Sequence, residues 1–215
     1  MKLRPVLWGF RTLLILCYLK TFHQAKGWKY FFGSWSNFRC TKGTINLSSG
    51  VWIETMALCH CEGGQISIGQ RTFINRFASI VSREAITIGD DVLIGDNVSI
   101  YDHDHQTNNL PTTYGQQGFL CAEIIIGDNV WIGCHSTILK GVNIGKNSVI
   151  GAGSVVKKSI PPNELWAGIP AKFIKKMLCN VRIRTSCISL NCQKPCRAGN
   201  VFVQTSSEGW ESRKL

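Results

Sequence analysis

The chain is poor in proline, poor in acid and short of long apolar runs. Six prolines against 21 glycines in 215 residues exclude collagen-like and proline-rich classes. The longest apolar stretch near the start, residues 12–19, is about half of the roughly 20 residues that span a bilayer. Lys20 follows it directly and no small-residue cleavage site is present, so neither a spanning helix nor a secretory signal is expected. Acid is scarce at both ends. Residues 1–42 carry eight Lys/Arg and no Asp or Glu, and residues 157–215 carry eleven basic against three acidic side chains. Between them, residues 43–156 hold five basic and ten acidic side chains, so the net charge of +11 is not that of a uniformly basic nucleic-acid binder.

What the sequence does contain is a composition apolar enough for a packed core, at 44% hydrophobic and 17% charged. Ten cysteines in a chain this long, without a clear signal peptide, fit a reduced cytoplasmic setting with thiols as small apolar fillers. The first 22 residues read as an amphipathic helix with Trp8, Phe10 and leucines on one side. Such a helix either packs on the body of the protein or lies peripherally in a membrane interface, helped by Lys2, Arg4, Arg11 and Lys20.

An internal period governs the middle. Ile68, Ile74 and Ile80 are six apart, and Ile88, Ile94 and Ile100 repeat the step in a second frame. Ile126, Ile132, Ile138, Ile144, Ile150 and Val156 then give six hits in one frame, with Gly127, Gly133, Gly145 and Gly151 beside four of them. Leu47, Ile53 and Cys59 continue the rhythm weakly upstream. A step of six is neither helical nor that of a long strand. It describes a short strand and a sharp corner, three of which make one coil of a triangular prism with a quasi-one-dimensional aliphatic core. Small residues such as Ala152 and Ser154 are expected at the corners. The step from Ile100 to Ile126 is 26 residues, so a loop of about residues 101–123 is extruded there.

Residues 88–105 (Ile-Gly-Asp-Asp-Val-Leu-Ile-Gly-Asp-Asn-Val-Ser-Ile-Tyr-Asp-His-Asp-His), 126–133, 150–156, 160–163 and 167–172 resemble the hexapeptide-repeat O-acetyltransferases over about residues 44–177. The nearest likeness is to the maltose, galactoside and colanic-acid-type exopolysaccharide branch. The resemblance implies an all-β solenoid, a left-handed parallel β-helix with an N-terminal helical segment, the extruded loop and a short C-terminal helix. It covers an acetyltransferase domain of residues 44–177; outside it lie a basic N-terminal amphipathic helical segment of residues 1–43 and a Cys-containing, flexible tail of residues 178–215, where the period is gone. It implies acetyl transfer from acetyl-CoA to a sugar hydroxyl by a homotrimer with active sites between subunits. No metal and no nucleic-acid partner are expected.

The family's general base falls at His105, with His103 as the alternative, and Asp102 or Asp104 as candidates to hold the ring's tautomer. Asn75 matches the acceptor-pocket asparagine, its plain reading being a corner residue that tolerates left-handed angles. Trp131 matches the aromatic along the pantetheine arm or acceptor site, and equally suits a trimer contact. Cys134 and Ala152 fall where backbone groups meet the pantetheine, and Lys157, Lys158, Lys172 and Lys175 would face the phosphates of CoA. Two of those lysines stand where the family often has Arg, keeping charge without the bidentate fork.

Rival readings are a carbonic-anhydrase-like metalloenzyme using His103, His105 and His135, and a non-catalytic trimeric scaffold. Cys59-His60-Cys61 is a dense cluster of soft ligands, although the two thiols also suit the interior of a coil. Cys179, Cys187, Cys192 and Cys196 follow no recognised zinc spacing. The acid-free N-terminus lacks the acceptor-contacting acid of the galactoside and maltose branch. It suits a lipid-linked saccharide of a surface polysaccharide pathway better than a free disaccharide.

Overall fold

The computed structural model describes residues 13–15, 17, 30–177, 201–203 and 211–213. Short strands wind in about six coils around a triangular prism, the left-handed β-helix that the family resemblance implies. Face 1 stacks Phe31–Phe32, Trp52–Ile53, Phe73–Ile74, Leu93–Ile94, Trp131–Ile132 and Val149–Ile150 in parallel register. Face 2 stacks the starts of Asn37–Leu47 and Leu58–Ile68, then Ser79–Ser82, Ser99–Tyr101, Thr137–Ile138 and Val155–Val156. Face 3 stacks the ends of the first two of those strands, then Ala85–Ile88, Ile124–Ile126 and Asn143–Ile144, closing at an Ile144–Ile160 bridge.

The predicted inward positions are the core. Ile68, Ile74, Ile80, Ile88, Ile94, Ile100, Ile126, Ile132, Ile138, Ile144, Ile150 and Val156 are buried, as are Leu47, Ile53 and Cys59 of the weaker upstream rhythm. A fully buried Ile contributes about 1.5–3 kcal/mol. Each coil therefore adds a rung of aliphatic burial against the entropy of fixing its residues. Ile132 pairs with Ile150, 18 positions on, but Ile53 pairs with Ile74, 21 positions on. The early coils hold their extra residues at the corner between faces 2 and 3, where Leu58–Ile68 bends through as one strand.

The other two corners are columns of positive φ. Between faces 1 and 2 these are Trp35, Met56, Phe77, Asn97, His135 and Gly153; between faces 3 and 1, Gly50, Arg71, Asp91, Asn129, Asn147 and Asn163. The corner thus selects its third position, Gly153 rather than Ala152, and it accepts Trp and Phe there. Gly133 is needed for another reason: a Cβ would lie 2.5 Å from the Ala152 nitrogen of the next coil.

Both ends depart from plain repetition. Residues 13–15 and 17 are helical, and Ile15 is half-buried against the core cluster while Leu13 and Leu14 are exposed. The rest of the expected amphipathic segment, Trp8 and Phe10 included, lies outside the described residues. At the other end, the described residues hold a strand where a short helix was expected. Lys172–Lys176 folds back antiparallel on Glu164–Ala167, which itself pairs with Val149–Ile150. The last coil leaves a sheet edge with free N–H and C=O groups, which a strand can pair and a helix cannot. In the tail, Val201–Val203 and Glu211–Arg213 form an antiparallel pair within a separate unit. Its four cysteines lie outside the described residues.

Candidate functional site

The extruded loop leaves the corner between faces 2 and 3 in the fourth coil. After Ser99–Tyr101 the chain turns at Asp102 and runs outward as His103–His105, then returns antiparallel as Phe119–Cys121 before Ile124–Ile126 resumes the prism. The loop closes between residues 102 and 123, as the 26-residue step predicts. Its far end is held by side chains: Gln117 Nε2 donates to Thr112 O at 2.8 Å and Thr113 Oγ1 to Gln116 Oε1 at 2.8 Å.

Asp102 is fully buried and replaces the corner that the loop removed. Its carboxylate accepts from the backbone N–H of Arg83 (2.8 Å) and of Glu84 (2.9 Å), and from Ser82 Oγ (2.7 Å). It also meets His103 Nδ1 at 2.9 Å. Burial by itself would raise its pKa. The donors, first the Arg83 N–H and then His103, outweigh that and hold the carboxyl below the ordinary 3.8. An ionised carboxylate only accepts, so His103 carries its proton on Nδ1 and turns Nε2 outward. Of the two acids named as candidate orienters, Asp102 therefore holds His103. Asp104 points away and is met by Lys140 Nζ of the fifth coil at 3.1 Å.

His103 and His105 lie on one side of the hairpin, as two-residue spacing in a strand requires. Both rings contact Phe119: His103 edge-on at 5.5 Å between centroids, His105 tilted at 4.4 Å. His103 is nearly enclosed, its side chain 13% exposed, whereas His105 is open to solvent. A ring that must meet an incoming hydroxyl needs the second situation.

Asn75, Cys134 and Ala152 share the opposite edge of face 2, on the corner with face 1. Asn75 is half-buried and lies outside the positive-φ column, which is occupied at Phe77, so it is not a left-handed corner residue. Its amide is already engaged. Nδ2 donates to Asp96 Oδ2 at 3.2 Å and Oδ1 accepts from the Arg76 N–H at 2.9 Å, while Arg76 Nε reaches Asp96 Oδ1 at 3.2 Å. Cys134 and Ala152 are exposed in successive coils, with the Gly153 N–H donating to Cys134 O at 2.8 Å. Trp131 stands outward on face 1, 54% exposed, between Leu93 and Val149 in register.

The four lysines are exposed and fall into two pairs in the sequence. Lys157 and Lys158 follow Val155–Val156 at the corner between faces 2 and 3; Lys172 and Lys175 pair with Ala167 and Leu165 on the closing strand. The Ala171 N–H donates to Val155 O at 2.8 Å, which brings the two pairs to the same end of face 2. A single chain sets the histidine hairpin and the Asn75–Cys134–Ala152 edge on opposite sides of that face.

Within a single chain the side chains of the metal reading are not grouped. Cys59 and Cys61 point into the core, where burial pushes both thiols up to about 12, and His60 points out. His135 belongs to the corner opposite the hairpin. Among the described residues no three His, Cys, Asp or Glu side chains are grouped to hold a metal ion.

Arg83, Phe119, Ser82 and Asp96 carry much of this arrangement and were not singled out by sequence. Ser82 and Asp96 continue the repeat's polar corners. Arg83 and Phe119 meet across the loop and have no local signature.

A prism of six-residue steps, interrupted once by a histidine-bearing hairpin, is the plan of a hexapeptide-repeat transferase. The family model described as bacterial transferase hexapeptide (six repeats) matches residues 123–158. Galactoside O-acetyltransferase of Escherichia coli (strain K12) is 40% identical over 131 residues, covering 61% of this chain and 63% of that protein. A putative lipopolysaccharide biosynthesis O-acetyl transferase of the same strain is 37% identical over 140 residues, covering 61% and 69%. Among solved structures, a hexapeptide-repeat acetyltransferase from Vibrio cholerae is 36% identical with a TM-score of 0.55, covering 60% of this chain and 72% of that one. A galactoside acetyltransferase in complex with coenzyme A gives 36% and 0.55, covering 61% and 64%. The chain belongs to the hexapeptide-repeat acetyltransferases. It spans just under two thirds of the galactoside enzyme's length.

Proposed function

We propose that the protein transfers an acetyl group from acetyl-CoA to a sugar hydroxyl in surface polysaccharide biosynthesis, acting as a homotrimer with His105 as general base. The observation that carries this reading is the hairpin itself. It presents an exposed imidazole at His105 beside a second, His103, whose orientation is fixed by buried Asp102. Acetyl-CoA, when bound, supplies an activated acyl carbon on a good leaving group. His105 removes the proton from the acceptor hydroxyl as its oxygen attacks, and returns it to the departing thiol sulfur. His103 presents Nε2 to the same space and suits an acceptor contact. Lys157, Lys158, Lys172 and Lys175 offer charge to the phosphates, and Cys134 and Ala152 leave backbone accessible for the pantetheine arm.

The separation across face 2 supports a trimer. His105 of one copy would meet the Asn75, Trp131 and Cys134 edge of the next, completing a site that one chain leaves divided. The acceptor is a lipid-linked or polymeric saccharide at the inner face of the membrane, since residues 1–42 hold eight basic and no acidic side chains. Ile15, partly buried against the core cluster, supports the packing of that part of the segment on the protein body.

The test is release of free CoA from acetyl-CoA by the full-length protein across a panel of mono- and oligosaccharides. His105→Ala should lower the rate by about 10²- to 10⁴-fold, the range of a positioned base. His105→Ala at the wild-type rate would remove His105 from the chemistry. Bound zinc without transfer to any acceptor would restore the metal reading.

A further inference from the structure

We propose that Arg83 and Phe119 are positioning residues for His105, forming a stacked support that fixes the plane of the proposed base. This rests on the reading of His105 given above. A hairpin whose two strands share three register pairs, His103–Cys121, Asp104–Leu120 and His105–Phe119, does not by itself fix an exposed ring at its outer end. Phe119 supplies a surface for that ring at 4.4 Å and touches His103 as well. Phe119 is in turn held by the guanidinium of Arg83, whose Cζ lies 3.5 Å from the ring centroid. At that distance the contact is a cation–π stack.

Arg83 is well placed to transmit rigidity from the prism. Its guanidinium is paired with Glu62 of the preceding coil. Its backbone N–H is among the donors that hold Asp102, the group that orients His103. One residue therefore braces both histidines, one through the carboxylate and one through the aromatic ring. The cost is visible: Arg83 Nε is buried with no hydrogen-bond partner, a penalty that a merely solvated arginine avoids. Lys140, ion-paired to Asp104, holds the other side of the same strand. The arrangement is a supporting shell around a reactive group, and a misplacement of about 1 Å there costs on the order of 100-fold in rate.

The decisive readout is the ring environment of His105, measured as its Cε1–H resonance in full-length protein labelled with ¹³C-histidine and assigned by His105→Ala. Phe119→Leu removes the ring current trivially, so Arg83→Met is the informative variant. It leaves Phe119 in the chain and should nonetheless shift and broaden the His105 signal, while Phe119→Tyr preserves it. Turnover of acetyl-CoA is followed alongside, with methyl galactoside and with water as acceptors. Arg83→Met and Phe119→Leu should lose about 10- to 100-fold in kcat with KM for acetyl-CoA within about twofold, and Phe119→Tyr should restore the rate. An unmoved His105 resonance in Arg83→Met would overturn the proposal whatever the rate does. Full turnover by His105→Ala would instead overturn the base assignment, leaving the resonance to decide the positioning. Should Arg83→Met not fold, Arg83→Lys carries the same test, since it keeps the charge and loses the planar stack.

Discussion

Asp91 and Asp102 each hold a carboxyl below its ordinary range, on different corners of the same prism, for different reasons. At Asp91 the first cause is the hydrogen bond from the Arg71 guanidinium, which grips both carboxylate oxygens at 2.6 Å in full view of solvent. At Asp102 burial pushes upward and is overcome by donors from Arg83, His103, Glu84 and Ser82. The same direction of shift therefore marks a surface ion pair in one place and a structural keystone in the other. Burial and the number of donors distinguish them, and the shift does not.

Removing Asp102 should break the comparison most visibly. Asp102→Ala leaves two backbone N–H groups, a serine hydroxyl and an imidazole facing a cavity. Since each stranded buried donor costs about 1–3 kcal/mol, a loss of at least about 3 kcal/mol in unfolding free energy is expected by urea titration. Asp102→Asn keeps the shape but turns an amide donor toward donors, so it should lose much of the same stability. It should also lower transfer activity, because His103 no longer has a fixed tautomer. If Asp102→Asn melted like the wild type, Asp102 would be one more corner residue.

Acid and salt separate the two carboxylates next. A group whose folded pKa is depressed adds stability above its unfolded value, near 3.9. That stability is lost as pH falls through the lower folded value. Both aspartates therefore contribute fully above about pH 4 and lose that contribution as the pH falls below it. In 1 M salt, with a screening length of about 3 Å, the contribution of exposed Asp91 should vanish and that of enclosed Asp102 persist. A guanidine-free thermal scan between pH 5 and pH 2.5 at low and high salt reads this directly. The difference between wild type and Asp102→Asn should shrink as the pH falls, at both salt concentrations.

How much of this is legible in a sequence depends on whether the cause is local. The prism is legible because every coil repeats the same demand on its inward residue, so Ile126 to Val156 betrays it by spacing alone. The 18-residue coil was read from that frame, and the early coils escaped it because their surplus residues bulge at a corner that does not disturb the core. Asn129, Asn147 and Asn163 suit their positive-φ corners by residue type; Trp35 and Phe77, in the other column, contradict the usual preference for left-handed angles and give no such signal. The closing strand was missed because the need for it comes from the unpaired edge of Glu164–Ala167, while its own run of Lys, Phe and Ile has no fixed preference. The candidate site divides in the same way. His105 and His103 sit where the motif ends. Arg83 and Phe119 are 36 positions apart and meet only because the loop folds back over the third coil.

The smallest expected effect is at Asp91, and it is the sharpest control. Asp91→Asn deletes a bidentate ion pair with short contacts, which on distance alone would rank among the strongest interactions in the molecule. Yet both partners are about half exposed, at 57% and 47% of their side-chain area, so water and salt already solvate each charge when the pair opens. Asn also tolerates the positive φ of 56° at this position, as Asn129, Asn147 and Asn163 do in the same column, so the backbone is not strained by the exchange. The melting midpoint and acetyl transfer should both stay at wild-type values, measured at low salt where any effect would be largest. A loss comparable to that of Asp102→Asn would mean that the corner between faces 3 and 1 bears load through its charges. The neighbouring asparagine ladder, with Asn129 to Asn147 at 3.0 Å and Asn147 to Asn163 at 2.9 Å, argues otherwise: later coils hold the equivalent position with neutral side chains.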